Sequence, residues 1–225
     1  MIEVEICCNS VASAKAAKDG GAQRIELCSA LECGGLTPSD TDIDYCVHAL
    51  GLRTHVLVRP REGDFCYTPA EVDEIMATIA TCRRIGAAAV VVGFLTADGC
   101  VDVALTKRAV AAAEGMEVTF HRAFDEARQA PLEALMAIAG TGCCRLLTSG
   151  QAATALDGAA VIRQLVNADT GVKILAGSGV TPANARQIVD ATGVGEVHGS
   201  CKMTLPDGTM QTDAGQVRRM ISALK

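Results

Sequence analysis

Residues 54–92 read THVLVRPREGDFCYTPAEVDEIMATIATCRRIGAAAVVV, and this one stretch holds the repeating unit of the whole chain. It opens on a short β-like run, Thr54–Val58, and closes on another that ends at Val92. Between them, Pro69–Ala87 has apolar residues at helical spacing, with proline in the first turn and Gly86 where such helices end. The unit is therefore strand, helix, strand.

Outward from this stretch the same alternation continues in both directions. IEVEICC from Ile2 and RIEL from Arg24 precede it; EVTF from Glu117, RLLT from Arg145, KILA from Lys173 and GEVH from Gly195 follow. Helical periodicity lies between the runs, in SVASAKAAKDGGA, VDVALTKRAVAAAEG, PLEALMAIAGTG and ALDGAAVIRQLVNA. Eight strand-helix units predict an α/β fold of the (β/α)8 TIM-like barrel type, because a doubly wound sheet usually stops at five or six strands. No linker, low-complexity tract or composition shift interrupts residues 1–225, so a single domain is expected.

Composition narrows the function. With 225 residues, 49% of them hydrophobic, the chain is long enough for a large buried core. A net charge of −6 and the lack of a basic stripe argue against a nucleic-acid partner. No run is long enough for a membrane span, and MIEVEICCNS has neither a basic leader nor an apolar signal core, so a soluble cytoplasmic protein is expected. The 11 cysteines are scattered through this apolar chain, and most are expected to be reduced, buried and acting as small hydrophobes.

Alternation along each strand sorts the side chains. Ile2, Val4, Ile6 and Cys8 must meet the helices, which turns Glu3, Glu5 and Cys7 into the barrel. By the same parity Glu26 and Cys28, His55 and Arg59, Thr119 and His121, and Glu196 and His198 point inward. His121 ends the run VTFHRAFD, where a histidine, an arginine and an aspartate follow apolar residues. Burying such groups without partners costs free energy, so something is expected to sit there. The C-terminal mouth is also where barrels place their sites. The bland alternative is a satisfied ion-pair network that plugs the barrel.

The loops add candidates for an anion. AGSGVTPAN, with Gly177, Ser178 and Gly179, runs into a helix with Thr181 as the expected N-cap, and HGSCK follows the eighth strand at His198. Ser149 in LTSG offers a hydroxyl. Arg59 and Arg61 flank Pro60 in RPREGDF and could fork a carboxylate or phosphate, while Arg122 and Asp125 could pair with each other or with these loops.

The motifs EICCNS, RIELCSALECGGLTPS, VRPREGDFCY, VTFHRAFD, LLTSGQ, AGSGV and EVHGS resemble the CutC copper-homeostasis family, in register from Glu3 to Ser200. Ser178, Glu62 and the HGSCK loop depart from its usual pattern, and the region after Ser200 is shorter than in longer relatives. The resemblance implies a TIM-like barrel, a cytoplasmic homodimer or higher homo-oligomer, and Cu(I) binding or trafficking. It implies Cys7 and Cys28 as the copper ligands. Independently, both lie on the inner parity of adjacent strands about 4.8 Å apart, so two soft thiolates could converge on one Cu(I), with zinc and a histidine as the competitor. The other reading is an enzyme acting on a small phosphate- or carboxylate-bearing substrate, with Glu26 and His121 as base and acid.

Overall fold

The computed structural model describes residues 2–225. Eight parallel strands close into one barrel in chain order: β1 Glu3–Cys8, β2 Arg24–Leu27, β3 Arg53–Leu57, β4 Ala89–Val92, β5 Glu117–Phe120, β6 Arg145–Thr148, β7 Lys173–Ala176 and β8 Glu196–Gly199. Closure comes from β1 lying between β2 and β8, with Cys7 opposite Glu26 and Glu5 opposite His198. The βα expectation therefore holds for all eight units.

The helices are α1 Val11–Asp19, α2 Asp40–Asp44, α3 Pro69–Ile85, α4 Val103–Ala113, α5 Pro131–Ala139, α6 Ala159–Asn167, α7 Ala185–Thr192 and α8 Ala214–Ala223. Their starts follow local chemistry. Ser10, Thr68, Asp102 and Asp213 each accept a backbone N–H from the first turn, and Thr68 completes a capping box with Glu71. Thr181 does not cap α7, contrary to expectation. Asn184 sits there instead, and its Oδ1 accepts the Thr181 amide at 2.8 Å, which fastens the turn one step earlier.

After β8 the chain adds a feature the strand-helix pattern did not announce, an antiparallel hairpin of β9 Lys202–Thr204 and β10 Met210–Thr212. Asn9 Nδ2 donates to the Met210 carbonyl and the Thr212 amide donates to Ser13 Oγ. The hairpin is thereby tied to α1, and α8 follows it back to the barrel wall.

Two apolar layers result from strand parity. Ile6, Cys8, Ile25, Leu27, Val56, Val90, Val118, Phe120 and Val197 join the helices in the main core, while Cys7, Cys28, Leu57 and Val91 form a small cluster inside the barrel. None of the 11 cysteines is bonded to another; Cys66 is exposed, Cys33, Cys100 and Cys144 are half-buried, and the rest are buried. No helix among the described residues is long and apolar enough to cross a membrane.

Candidate functional site

The barrel interior is divided by depth. At its lower, N-terminal end the inward residues form an ion-pair plug. Arg24 reaches Glu3, Glu5 and Glu196 at 3.0, 2.9 and 2.7 Å, and Arg145 reaches Glu196 at 2.6 Å and Glu117 at 3.0 Å. Both arginines are buried, and buried charges persist only when paired in this way. The plug expected as the bland alternative thus exists, but it fills only half of the barrel. Arg24 and Arg145 were absent from the candidate residues, although each shares the inward parity of Glu26 and Leu147.

Above the plug the mouth opens into a cavity of about 1170 Å³. Cys7, Glu26, Leu57, His121, Leu147 and His198 form its floor and walls, and Ser178, Gly179 and the segment from Gly199 to Lys202 form part of its rim. Loop and helix residues that strand parity could not reveal complete it, among them Leu31, Phe65, Gln216 and Arg219.

Glu5 lies just beneath this floor and joins two histidines. Its carboxylate meets His198 Nδ1 and His55 Nδ1, each at 2.8 Å. Burial alone would raise its pKa, yet the hydrogen bonds and charges of the two imidazoles hold it well below the ordinary carboxylate range. His198 is the counterpart. Burial opposes its charge, but Glu26, Cys7 and Glu5 raise its pKa well above the usual imidazole value. Glu26 is pushed up to about 7, chiefly by burial, with His198 pulling down and Glu5 pushing up. Its Oε2 is buried without a partner.

Because Glu5 occupies Nδ1 of His198, the Nε2 edge is left for Cys7 and Glu26. Ligand atoms of Cys7, Glu26 and His198 lie within 4.8 Å of one another. Cys28 Sγ is 3.9 Å from Cys7 Sγ. Donor chemistry therefore fits a thiophilic ion: a second sulfur is close enough to share a metal, and the Glu5 carboxylate behind His198 fixes the imidazole's orientation. In the free protein Cys7 is held as a thiol, its pKa raised well above normal by the Cys28 contact and by burial. An arriving ion would displace that proton.

His121 lines the mouth cavity, as its inward parity implied. Its Nδ1 accepts the Ala123 amide at 3.1 Å and starts the turn Arg122–Glu126. Gly93 makes room for this edge, since a Cβ there would lie 2.2 Å from Nδ1. Phe65 packs against the ring at 4.9 Å between centroids. Burial, then the Arg59 and Arg122 charges, lower its pKa to about 3. His121 is thus neutral with its proton on Nε2, a hydrogen-bond donor, and Nε2 has no partner.

Several anion-binding candidates are occupied elsewhere. Arg59 lines the cavity, but its guanidinium donates to the carbonyls of Cys33, Gly35 and Gly63 and stacks over Phe65, bracing two loops together. Arg61 turns away from the mouth to Glu71, Asp64 and the Cys66 carbonyl, because those partners are supplied by its own loop and the first turn of α3. Arg122 pairs with Asp125 at 2.8 Å. The Asp125 carboxylate also accepts from Thr148 Oγ1, from Ser149 through both amide and hydroxyl, and from the Gln151 amide, so it has no free acceptor for a ligand. Ser149 is correspondingly buried in that turn and away from the cavity lining. Gly177 also lies off the lining; its role is close packing, since a Cβ would fall 2.5 Å from Leu147 Cδ1. Ser178 and Gly179 do reach the rim, both with left-handed backbone, at φ 76° and 69°.

The fold and this cluster define a (β/α)8 barrel whose C-terminal mouth combines thiol, carboxylate and imidazole over an ion-pair plug. A family model described as the CutC family matches residues 2–203, and the chain belongs to that family. A family protein CutC from Glaesserella parasuis serovar 5 (strain SH0165) is 45% identical over 202 residues, 89% of this chain and 83% of its own. The corresponding protein of Chromobacterium violaceum is 46% identical over 200 residues, 88% of this chain and 81% of its own. A crystal structure from Streptococcus agalactiae, of a protein named for copper homeostasis and CutC, superposes with a TM-score of 0.84 at 28% identity, covering 89% of this chain and 99% of that one.

Proposed function

We propose that this protein binds Cu(I) in the cytoplasm, with Cys7 and Cys28 as the thiolate pair, His198 as the adjoining imidazole and the barrel as a rigid holder. The observation that carries the reading is the 3.9 Å separation of the two sulfurs, with Cys7 on the cavity lining and Cys28 buried beside it. Thiolates select Cu(I) over the harder divalent ions, and the ion is cargo here, held and passed on through the open mouth. Glu5 supports the site from below: by hydrogen-bonding Nδ1 of His198 it directs Nε2 to the sulfur of Cys7.

The test is anaerobic competition for Cu(I) against a chelator of known affinity. Wild-type protein is expected to hold one Cu(I), the Cys7→Ser, Cys28→Ser double variant to lose it, and Glu5→Gln to weaken it by about 10- to 100-fold through the misplaced imidazole. Retention of wild-type affinity by the double variant would sink the assignment.

A second reading is favoured by the size of the cavity. At about 1170 Å³ it far exceeds the space of an ion and reaches that of small-molecule pockets, roughly 300–1,000 Å³. An enzyme acting on a small anionic substrate remains the alternative.

A further inference from the structure

Two groups lining the cavity have features that the Cys7, Cys28 and His198 set does not use. His121 directly follows β5, three strands around the barrel from Glu26 on β2, and both are more than nine-tenths buried. Both residues line the cavity, and each keeps one buried polar atom without a partner, Nε2 of His121 and Oε2 of Glu26. Leaving such atoms unpaired costs each of them a substantial fraction of its desolvation energy. Such an arrangement is sustained when a ligand or water completes it.

The His121 atom has a defined chemistry. Nδ1 is fixed on the Ala123 amide, so Nε2 carries hydrogen and can only donate. It cannot bind a metal ion while that bond stands, which separates it from the cluster at Cys7. Its depressed pKa keeps it a neutral donor through the physiological range. Glu26, by contrast, offers an oxygen to a hydroxyl or amine.

The remaining surface sets size and charge. Leu57, Phe65 and Leu147 make the middle of the cavity apolar, which suits a short carbon chain. At the rim stand Lys202, Arg219 and Arg122, all with solvent-exposed or half-exposed side chains, against Glu126 and the already engaged Asp125. Cations at a mouth of low-dielectric walls raise the local concentration of anions.

We infer that the cavity binds a small hydroxylated organic anion, with one of its oxygens accepting the His121 Nε2–H, a hydroxyl donating to Glu26 and its charge directed to the Lys202 and Arg219 rim. The ligand class is that of hydroxycarboxylates and their phosphate esters. This assignment rests on the second reading above and on His121, and it shares only Glu26 with the metal cluster.

The test is calorimetric titration of the full chain, with a chelator present to remove metal, using D-glycerate, 3-phosphoglycerate and inorganic phosphate. Saturable binding of at least one glycerate is expected, weakened about 10- to 100-fold in His121→Phe and partly restored in His121→Gln, which again presents a donor. Binding of neither glycerate, or equal binding by His121→Phe, would overturn the inference. Binding of inorganic phosphate alone, indifferent to His121, would overturn it too. Should His121→Phe fail to fold, the wild type decides the matter: the His121 Nε2–H proton resonance must move on adding the glycerate that binds, and an unmoved resonance refutes the contact.

Discussion

At the scale of the residue, two buried groups of the cavity should pull stability in opposite directions with pH. The folded pKa of His121 is about 3, against 6.5 ordinarily, so between those values the unfolded chain binds more protons. Its contribution is complete above pH 6.5 and is lost as the pH falls, on the order of 3 kcal/mol by about pH 4. Glu26, raised from 4.5 to about 7, has the opposite sign. There the folded state binds the extra proton, and stability from this group declines as the pH rises through that window, by on the order of 3 kcal/mol in all. Urea denaturation across pH 4 to 8 reads both. Relative to wild type, His121→Phe should lose the acid-side slope and Glu26→Gln the slope toward neutrality. Parallel profiles for all three proteins would contradict these environments.

At the scale of the element, the turn after β5 and the loop after β6 behave as one fastened unit. Asp125 is the fastener, taking hydrogen bonds from Thr148, Ser149 and Gln151 across 23 to 26 residues of sequence. Gln151 has φ 56° and relies on this anchoring to hold a left-handed backbone without being glycine. Asp125→Ala leaves those amides without an acceptor and is expected to cost about 2–4 kcal/mol. Hydrogen exchange should locate the loss at residues 148–151, with α3 unaffected; uniform protection in the variant would show that the loop stands without its anchor. The same logic applies to Arg59, which joins the loops after β2 and β3 through the carbonyls of Gly35 and Gly63.

At the scale of the whole molecule, the barrel is stiffened from within by its plug. Arg145 lies between Glu117 and Glu196, and Arg24 joins Glu196 to Glu3 and Glu5, so the network runs through β1, β2, β5, β6 and β8. Removing one member leaves buried carboxylates without their partner. Arg145→Met is therefore expected to cost about 3–5 kcal/mol in chemical denaturation. A loss below about 1 kcal/mol would mean that the carboxylates find water or protonate. The plug also explains why the site sits where it does: paired charges occupy the interior at the N-terminal end, and the large cavity opens at the C-terminal mouth.

Much of this architecture is local in origin, and local patterns are what a sequence displays. Strand runs, helix caps and glycine stops are set by neighbours within a few residues, so the eight units and the inward parity of Cys7, Glu26, His121 and His198 could be read directly. Parity could even have named Arg24 and Arg145, since Glu26 and Leu147 share their strands and faces. It could not show what partners each charged group would find. Arg61 and Asp125 have the composition of anion or ligand contacts, yet Arg61 is engaged first by its own segment, and Asp125 by a loop 23 to 26 residues away. The tautomer of His121 depends on the Ala123 amide, the 3.9 Å sulfur pair on the register of β1 against β2, and the rim on a hairpin and helix that break the repeat. By itself the sequence determined the barrel and which side chains enter it, because alternation and periodicity are properties of the local backbone. Tertiary structure alone decided which of those side chains remain free for chemistry, because a polar group's availability is set by every partner that folding brings within hydrogen-bonding distance.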